Sequence, residues 1–175
     1  MNATDTAFVL LCATMVMLMT PALALFYGGL VRSRNVLSTH MHSYASLGVI
    51  SLLWAFFGYS LAFGGDIGGL IGDFSYMFLR GVGSEAAPAA SQLPHNAFMA
   101  FQGMFAVLTV ALISGAYAER IRFGAMLCFS CLWLAFVYCP MAHWVWGGGW
   151  MMRMGALDFA GGAVVHMASA AAALA

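Results

Sequence analysis

Lysine is absent from this 175-residue chain, and charge of either sign is scarce. Six arginines and six acidic residues make up 7% of the sequence, against 63% hydrophobic residues. Soluble domains carry roughly a quarter charged residues, so a water-exposed globular surface is excluded and an integral membrane protein is indicated. With zero formal net charge, bulk charge offers no steering and no basic face, so no nucleic-acid partner is expected. Cys12, Cys128, Cys131 and Cys139 all lie in apolar blocks, where a thiol acts as a small hydrophobe. Cys128 and Cys131 sit at i, i+3 spacing with no further ligands nearby, which leaves core packing. No metal and no cofactor are expected.

What the chain has instead is a series of charge-free blocks: Thr6–Val31, Asn35–Gly65, Ser91–Ala118, Phe123–Met152 and Phe159–Ala175. Each can hold a helix of about 20 residues, the length that crosses a hydrocarbon core. The reading is an all-α integral membrane fold with five transmembrane helices, near 7–30, 44–63, 96–118, 123–143 and 159–175. The opening "MNATD" lacks a basic region and the apolar run after it is too long for a secretory signal, so the first block is taken as a retained helix. Pro21 predicts a kink, with Thr20 or a neighbouring helix satisfying the carbonyl it frees. Arg32, Arg34, Arg120 and Arg122 fall in two short loops and Arg80 and Arg153 on the opposite side. That bias predicts an external N-terminus in a multi-pass protein of the cell's inner membrane. Gly81–Pro94 has the composition of a flexible external loop.

Three features stand out from the apolar background. Phe101 and Phe105 are four residues apart, so their rings share one helix face. Spacing alone fits packing or lipid contact. In "AHWVWGGG", Trp144 and Trp146 suit an aromatic belt at the headgroups, or a cation–π wall if Trp146 lines a vestibule near Phe101. In "LDFAGGAVVH", Asp158 stands where the N-cap of the fifth helix belongs. His166 lies eight residues further on, about 12 Å into the membrane at helical rise. An ionisable ring at that depth is a pathway candidate, with hydrogen bonding to its own helix as the rival.

At "ALFYGGLVRSRNVLS", "GYSLAFG", "FQGMFAVLTVALISGAYAERIRF", "AHWVWGGG" and "GALDFAGGAVVH" the sequence resembles the ammonium transporter family of Amt, Mep and Rhesus proteins. The resemblance implies the first half of an inverted-repeat transporter fold, with a last helix added to two five-helix halves, assembled as a homotrimer with one pore per protomer. It implies that Trp146 and Phe101 wall an external ammonium site supported by Asp158. Phe101 and Phe105 would begin a phenylalanine gate, and His166 would be the first of a pore histidine pair. Ammonium or ammonia is the implied substrate, membrane lipid the surroundings, and a P-II type regulatory protein an implied partner near Arg32–Asn35 and Glu119–Arg122. The role implied is transport, not catalysis. The sequence ends partway through the fifth expected helix, so the second half is expected to be missing. Two alternatives remain: an ammonium sensor module of a membrane signalling protein, and a b-type haem anchor on His143 and His166.

Overall fold

The structure is a computed structural model and describes residues 2–175. Helix α1 spans Ala3–Gly28. The Asn2 side chain accepts from the Thr4 N–H at 3.0 Å and Asp5 lies in the first turn, both favourable at the positive end of a helix. The helix continues through Pro21. Thr20 Oγ1 is buried without a hydrogen-bond partner, so of the two expected partners for the Met17 carbonyl that Pro21 frees, Thr20 is not the one.

Helix α2 begins at Val36, well before the expected residue 44. It runs to Leu53, passes through a π-helical turn over Trp54–Gly58, and ends as Tyr59–Phe63. Helix α3 spans His95–Ile113. Helix α4 covers Phe123–Trp133, a second π turn over Leu134–Tyr138, and Cys139–Val145. A short α5 covers Trp150–Arg153, and α6 comprises a π turn over Gly162–Met167 followed by Ala168–Leu174. Among the described residues, four helices are long and apolar enough to cross a membrane, while Gly162–Leu174 is a shorter apolar helix.

The two mid-helix π turns of α2 and α4 face each other. Each turn advances the register by one residue, and the extra residue lets bulky rings share one core. Trp54 and Tyr138 stand 6.1 Å apart edge to face, and the Cys139 thiol donates to the Gly58 carbonyl at 3.5 Å. Trp54 also donates from Nε1 to the Met99 carbonyl of α3 at 3.2 Å, which gives its buried N–H a partner.

The segment after α2 is more ordered than composition suggests. Asp66–Ile67 (β1) pairs antiparallel with Ile71–Gly72 (β2), and Ala86–Ala87 (β3) with Ala90–Pro94 (β4). The stretch expected to be a flexible loop is therefore a hairpin tied to its surroundings: His95 N donates to Glu85 O at 2.7 Å, and Asn2 N to Gln92 O at 3.0 Å. Local backbone pairing decides this, and an Ala/Ser/Gly-rich composition conceals it.

Alternating helix direction gathers residues 64–94, residues 146–161 and the N-terminus at one end of the bundle. Residues 29–35 and 114–122 meet at the other. There Glu119 accepts at 2.8 Å from both the Arg32 backbone N–H and the Asn35 side chain. Close packing of α1 on α3 depends on Gly115, just past α3, where a Cβ would stand 2.6 Å from the Tyr27 ring. Gly115→Val should displace that ring and its hydrogen bond to Leu112 O, costing about 1–3 kcal/mol. Thermal unfolding in detergent should show a lowered midpoint, while Gly124→Ala, in open space, should leave it in place.

Candidate functional site

Where α6 begins, the chain must present free N–H groups to something other than water if it is to enter hydrocarbon. Asp158 supplies the acceptors. Its Oδ1 takes the Gly162 N–H at 2.7 Å, and its Oδ2 takes those of Ala163 at 2.9 Å and Val164 at 3.1 Å. Capping by Asp158 was legible from sequence, but the helix starts at Gly162, not Phe159. Gly161 is the residue at the N-cap position, in the left-handed region (φ +75), where a Cβ would lie 2.7 Å from Val165 Cγ2. Glycine is required there on both counts. Burial alone would raise the Asp158 pKa, but the N–H groups of Val164, Ala163, Gly162 and Gly161 outweigh it and hold the carboxyl below its ordinary value.

Asp158 also reaches the second element of the site through its backbone: its carbonyl accepts from Trp146 Nε1 at 2.9 Å. Trp146 lies at the C-terminal end of α4. Its ring centroid is 6.5 Å from that of Phe105, and Phe105 in turn meets Phe101 edge to face at 5.0 Å with an interplanar angle of 89°. These three aromatics line a cleft of about 290 Å³ with Gln102, Asp158 and Gly161. Two further clefts of about 390 and 320 Å³ adjoin it and share the Trp146 wall. An open aromatic vestibule of this kind can hold a small cation against π faces.

The structure thus brings together Phe101, Phe105, Trp146 and Asp158. It leaves His166 outside the cleft lining, exposed at the surface of this chain. The backbone N–H of His166 donates to Gly161 O at 2.9 Å, so His166 stands one helical turn beyond the cleft wall. Because α6 starts at Gly162, the axial distance from helix start to His166 is about 6 Å at helical rise, half the depth expected from Asp158. Its side chain makes no hydrogen bond among the described residues, so the rival of a ring locked to its own helix does not apply.

Sequence reasoning missed one network. His143 is fully buried, with Nδ1 3.0 Å from Ala62 O and Nε2 bonded to Asp66 at 2.8 Å, while Arg153 donates to the other Asp66 oxygen. With both ring nitrogens engaged, His143 has none left for iron, which removes the haem reading. Bonds from His143 and Arg153 hold the Asp66 carboxyl below its ordinary pKa. The partners are far apart in sequence, and only the "FGGDIGG" turn glycines hinted that Asp66 folds back on α4.

Aromatic clefts beside a capped helix start, at one end of a bundle of membrane-length helices, define a multi-pass membrane protein. The Ammonium Transporter Family model matches residues 7–175, and the chain belongs to that family. It is 56% identical over 99% of its length to an ammonium transporter of Bacillus subtilis, covering 43% of that protein. It is 46% identical over its whole length to ammonium transporter Amt1 of Archaeoglobus fulgidus, covering 42%. Among solved structures, Mep2 of Saccharomyces cerevisiae superposes with a TM-score of 0.91 at 38% identity over 99% of this chain and 41% of Mep2. A structure described as a sensor Amt protein gives 0.85 at 28% identity, covering 93% of this chain and 40% of that one. The chain therefore spans less than half the length of the relatives it matches.

Replacing Asp158 by Asn keeps its shape but removes the charge facing three N–H donors. Asp158→Asn should destabilise the protein by about 1–3 kcal/mol. The sign with pH follows from the lowered carboxyl: its contribution is complete above the ordinary carboxylate range and is lost as pH falls through the depressed native value. Unfolding midpoints measured from pH 7 down to 3 should converge for wild type and Asp158→Asn, and parallel curves would refute the assignment.

Proposed function

We propose that this chain forms the N-terminal part of an ammonium transporter, in which Trp146 and Phe101 recruit the cation, Phe101 and Phe105 gate its passage, and His166 receives ammonia one turn further in. The observation that carries this reading is the cleft where Phe101, Phe105 and Trp146 meet the Asp158-capped start of α6. Family membership and 56% identity to an ammonium transporter support it.

Magnitudes decide the form in which the substrate crosses. Moving a small cation from water into a medium of low dielectric costs on the order of 20 kcal/mol in the idealised limit. A cation–π contact returns roughly 0.5–2 kcal/mol. Aromatic walls can therefore hold ammonium where water still reaches it but cannot carry it through an apolar passage. The cation gives up its proton to water in the cleft, before the gate, and proceeds as ammonia, a neutral dipole that both donates and accepts hydrogen bonds. An imidazole with one donor and one acceptor nitrogen meets both needs, which accounts for His166 in an apolar helix.

The end of the bundle that holds the cleft carries Asp5, Asp66, Asp73, Glu85 and Asp158 against Arg80 and Arg153, while the other end carries four arginines against Glu119. We read the first end as external and the second as cytoplasmic, in the inner membrane. The exposed row Phe8, Leu11, Met15 and Leu18 on α1 suits lipid or a neighbouring copy in a homotrimer. At the cytoplasmic end, Arg32, Arg34, Asn35, Glu119 and Arg120 border a cleft of about 730 Å³, the surface assigned to a P-II type regulatory protein. The likeness to a sensor Amt protein supports a second reading, in which the same site serves an ammonium sensor. Its lower identity, 28%, ranks it below transport.

Uptake of labelled methylammonium by cells lacking their own ammonium transporters tests the reading in the complete protein. Trp146→Leu should raise the half-saturation concentration by about 2- to 30-fold, the equivalent of the lost cation–π energy. Phe105→Ala and His166→Asp should change the maximum rate with membrane assembly intact. Unaltered uptake in the last two variants would remove the gate and pore assignments.

A further inference from the structure

The network that joins buried His143 to Asp66 and Arg153 at the outer end has a use beyond holding the outer loops together. We propose that His143, Asp66 and Arg153 form a clamp that positions Trp146 for cation recruitment, an inference that rests on the transport reading above. Trp146 sits where α4 ends, in a non-helical conformation (φ −121, ψ −24), so helical hydrogen bonding alone does not fix its ring. Its indole is tethered on one side by the bond from Nε1 to Asp158 O.

His143 organises the backbone around Trp146. Its own carbonyl accepts from Gly147 N at 3.0 Å and Gly149 N at 2.9 Å, which folds the glycine run back over the last turn of α4. Its ring reaches the last turn of α2 at Ala62 O and the β1 residue Asp66. Asp66 collects donors from three segments: His143 of α4, Arg153 of α5, and the Gly69 N–H at 2.9 Å within its own hairpin. Trp150 N, at the start of α5, closes the ring of contacts on Gly69 O at 3.0 Å.

Four segments therefore converge within one turn of Trp146. Charge explains why the clamp is firm. A carboxylate bonded to a guanidinium and a ring N–H makes charge-assisted bonds, stronger than neutral ones. The His143 end is fully buried, where such bonds are least screened by salt. Slack at Asp66 releases both the hairpin and α5 from the last turn of α4, the turn that carries Trp146.

The test uses methylammonium uptake by the complete transporter, with the amount at the membrane measured by surface labelling. Asp66→Asn should raise the half-saturation concentration about three- to tenfold, the size of one lost hydrogen bond, with the maximum rate per transporter kept within about twofold. Arg153→Gln, at an exposed residue, should shift it less and in the same direction. Asp66→Asn added to Trp146→Leu should produce no further rise, because the clamp acts through that ring.

A purely structural role predicts the opposite pattern: fewer transporters at the membrane, an unchanged half-saturation concentration, and effects that multiply in the double variant. That pattern would overturn the clamp. If Trp146→Leu itself leaves half-saturation unchanged, the recruitment reading fails and the clamp has nothing to position. If Trp146→Leu shifts it while Asp66→Asn and Arg153→Gln do not, the clamp alone is wrong.

Discussion

The first N–H groups of a helix have no partner within the helix, and at the start of α6 the Asp158 carboxylate takes them up. Three N–H donors within 3.1 Å are more than a neutral side chain accepts comfortably, which is why an acid stands at the edge of an apolar block. The geometry of the cleft follows from this anchor. The Asp158 carbonyl fixes the Trp146 indole, Trp146 leans on Phe105, and Phe105 on Phe101. Much of the carboxylate's charge is committed to the helix start, so its contribution to a cation in the cleft is chiefly the placement of aromatic rings.

Net charge conceals how that cation would be drawn in. The formal total is zero, which on its face excludes steering. Distributed over the two ends of the bundle, the same charges leave an excess of carboxylates beside the cleft and an excess of arginines at the opposite end. A field of this sense raises the local concentration of a cation at the mouth. The acids also serve structure: Asp66 and Asp73 hold the turns around β1 and β2, so most are fixed in place by backbone N–H groups.

The long apolar helices and the Phe101–Phe105 face were legible because both depend on local periodicity and composition. The cap on α6 was legible as chemistry but misplaced in register. An Asp before an apolar run signals a helix start, yet only tertiary contact shows that Phe159 and Ala160 remain outside the helix and that Gly161 makes the turn. The hairpins and the His143–Asp66 bond were invisible for a different reason. Residues separated by 77 positions leave no periodic trace, and an ordered hairpin of Ala, Ser and Gly reads as a loop. The π turns escaped notice because α2 and α4 satisfy the apolar pattern equally well with or without an inserted residue.

The "AHWVWGGG" stretch shows how the ambiguous part resolves. Residues two apart on a helix project about 200° from one another, so Trp144 and Trp146 cannot share a surface. Trp144 turns toward the outer loops, donating to Leu70 O at 2.7 Å and standing 5.8 Å from Trp150. These contacts tie the end of α4 to the outer loops. Trp146 turns toward α3 and the start of α6, where its ring is a cleft wall. Only Trp146 of the pair therefore lines the cleft with Phe101 and Phe105. The division follows from helix geometry, and His143, one turn before Trp146, is placed by that same geometry to act on it.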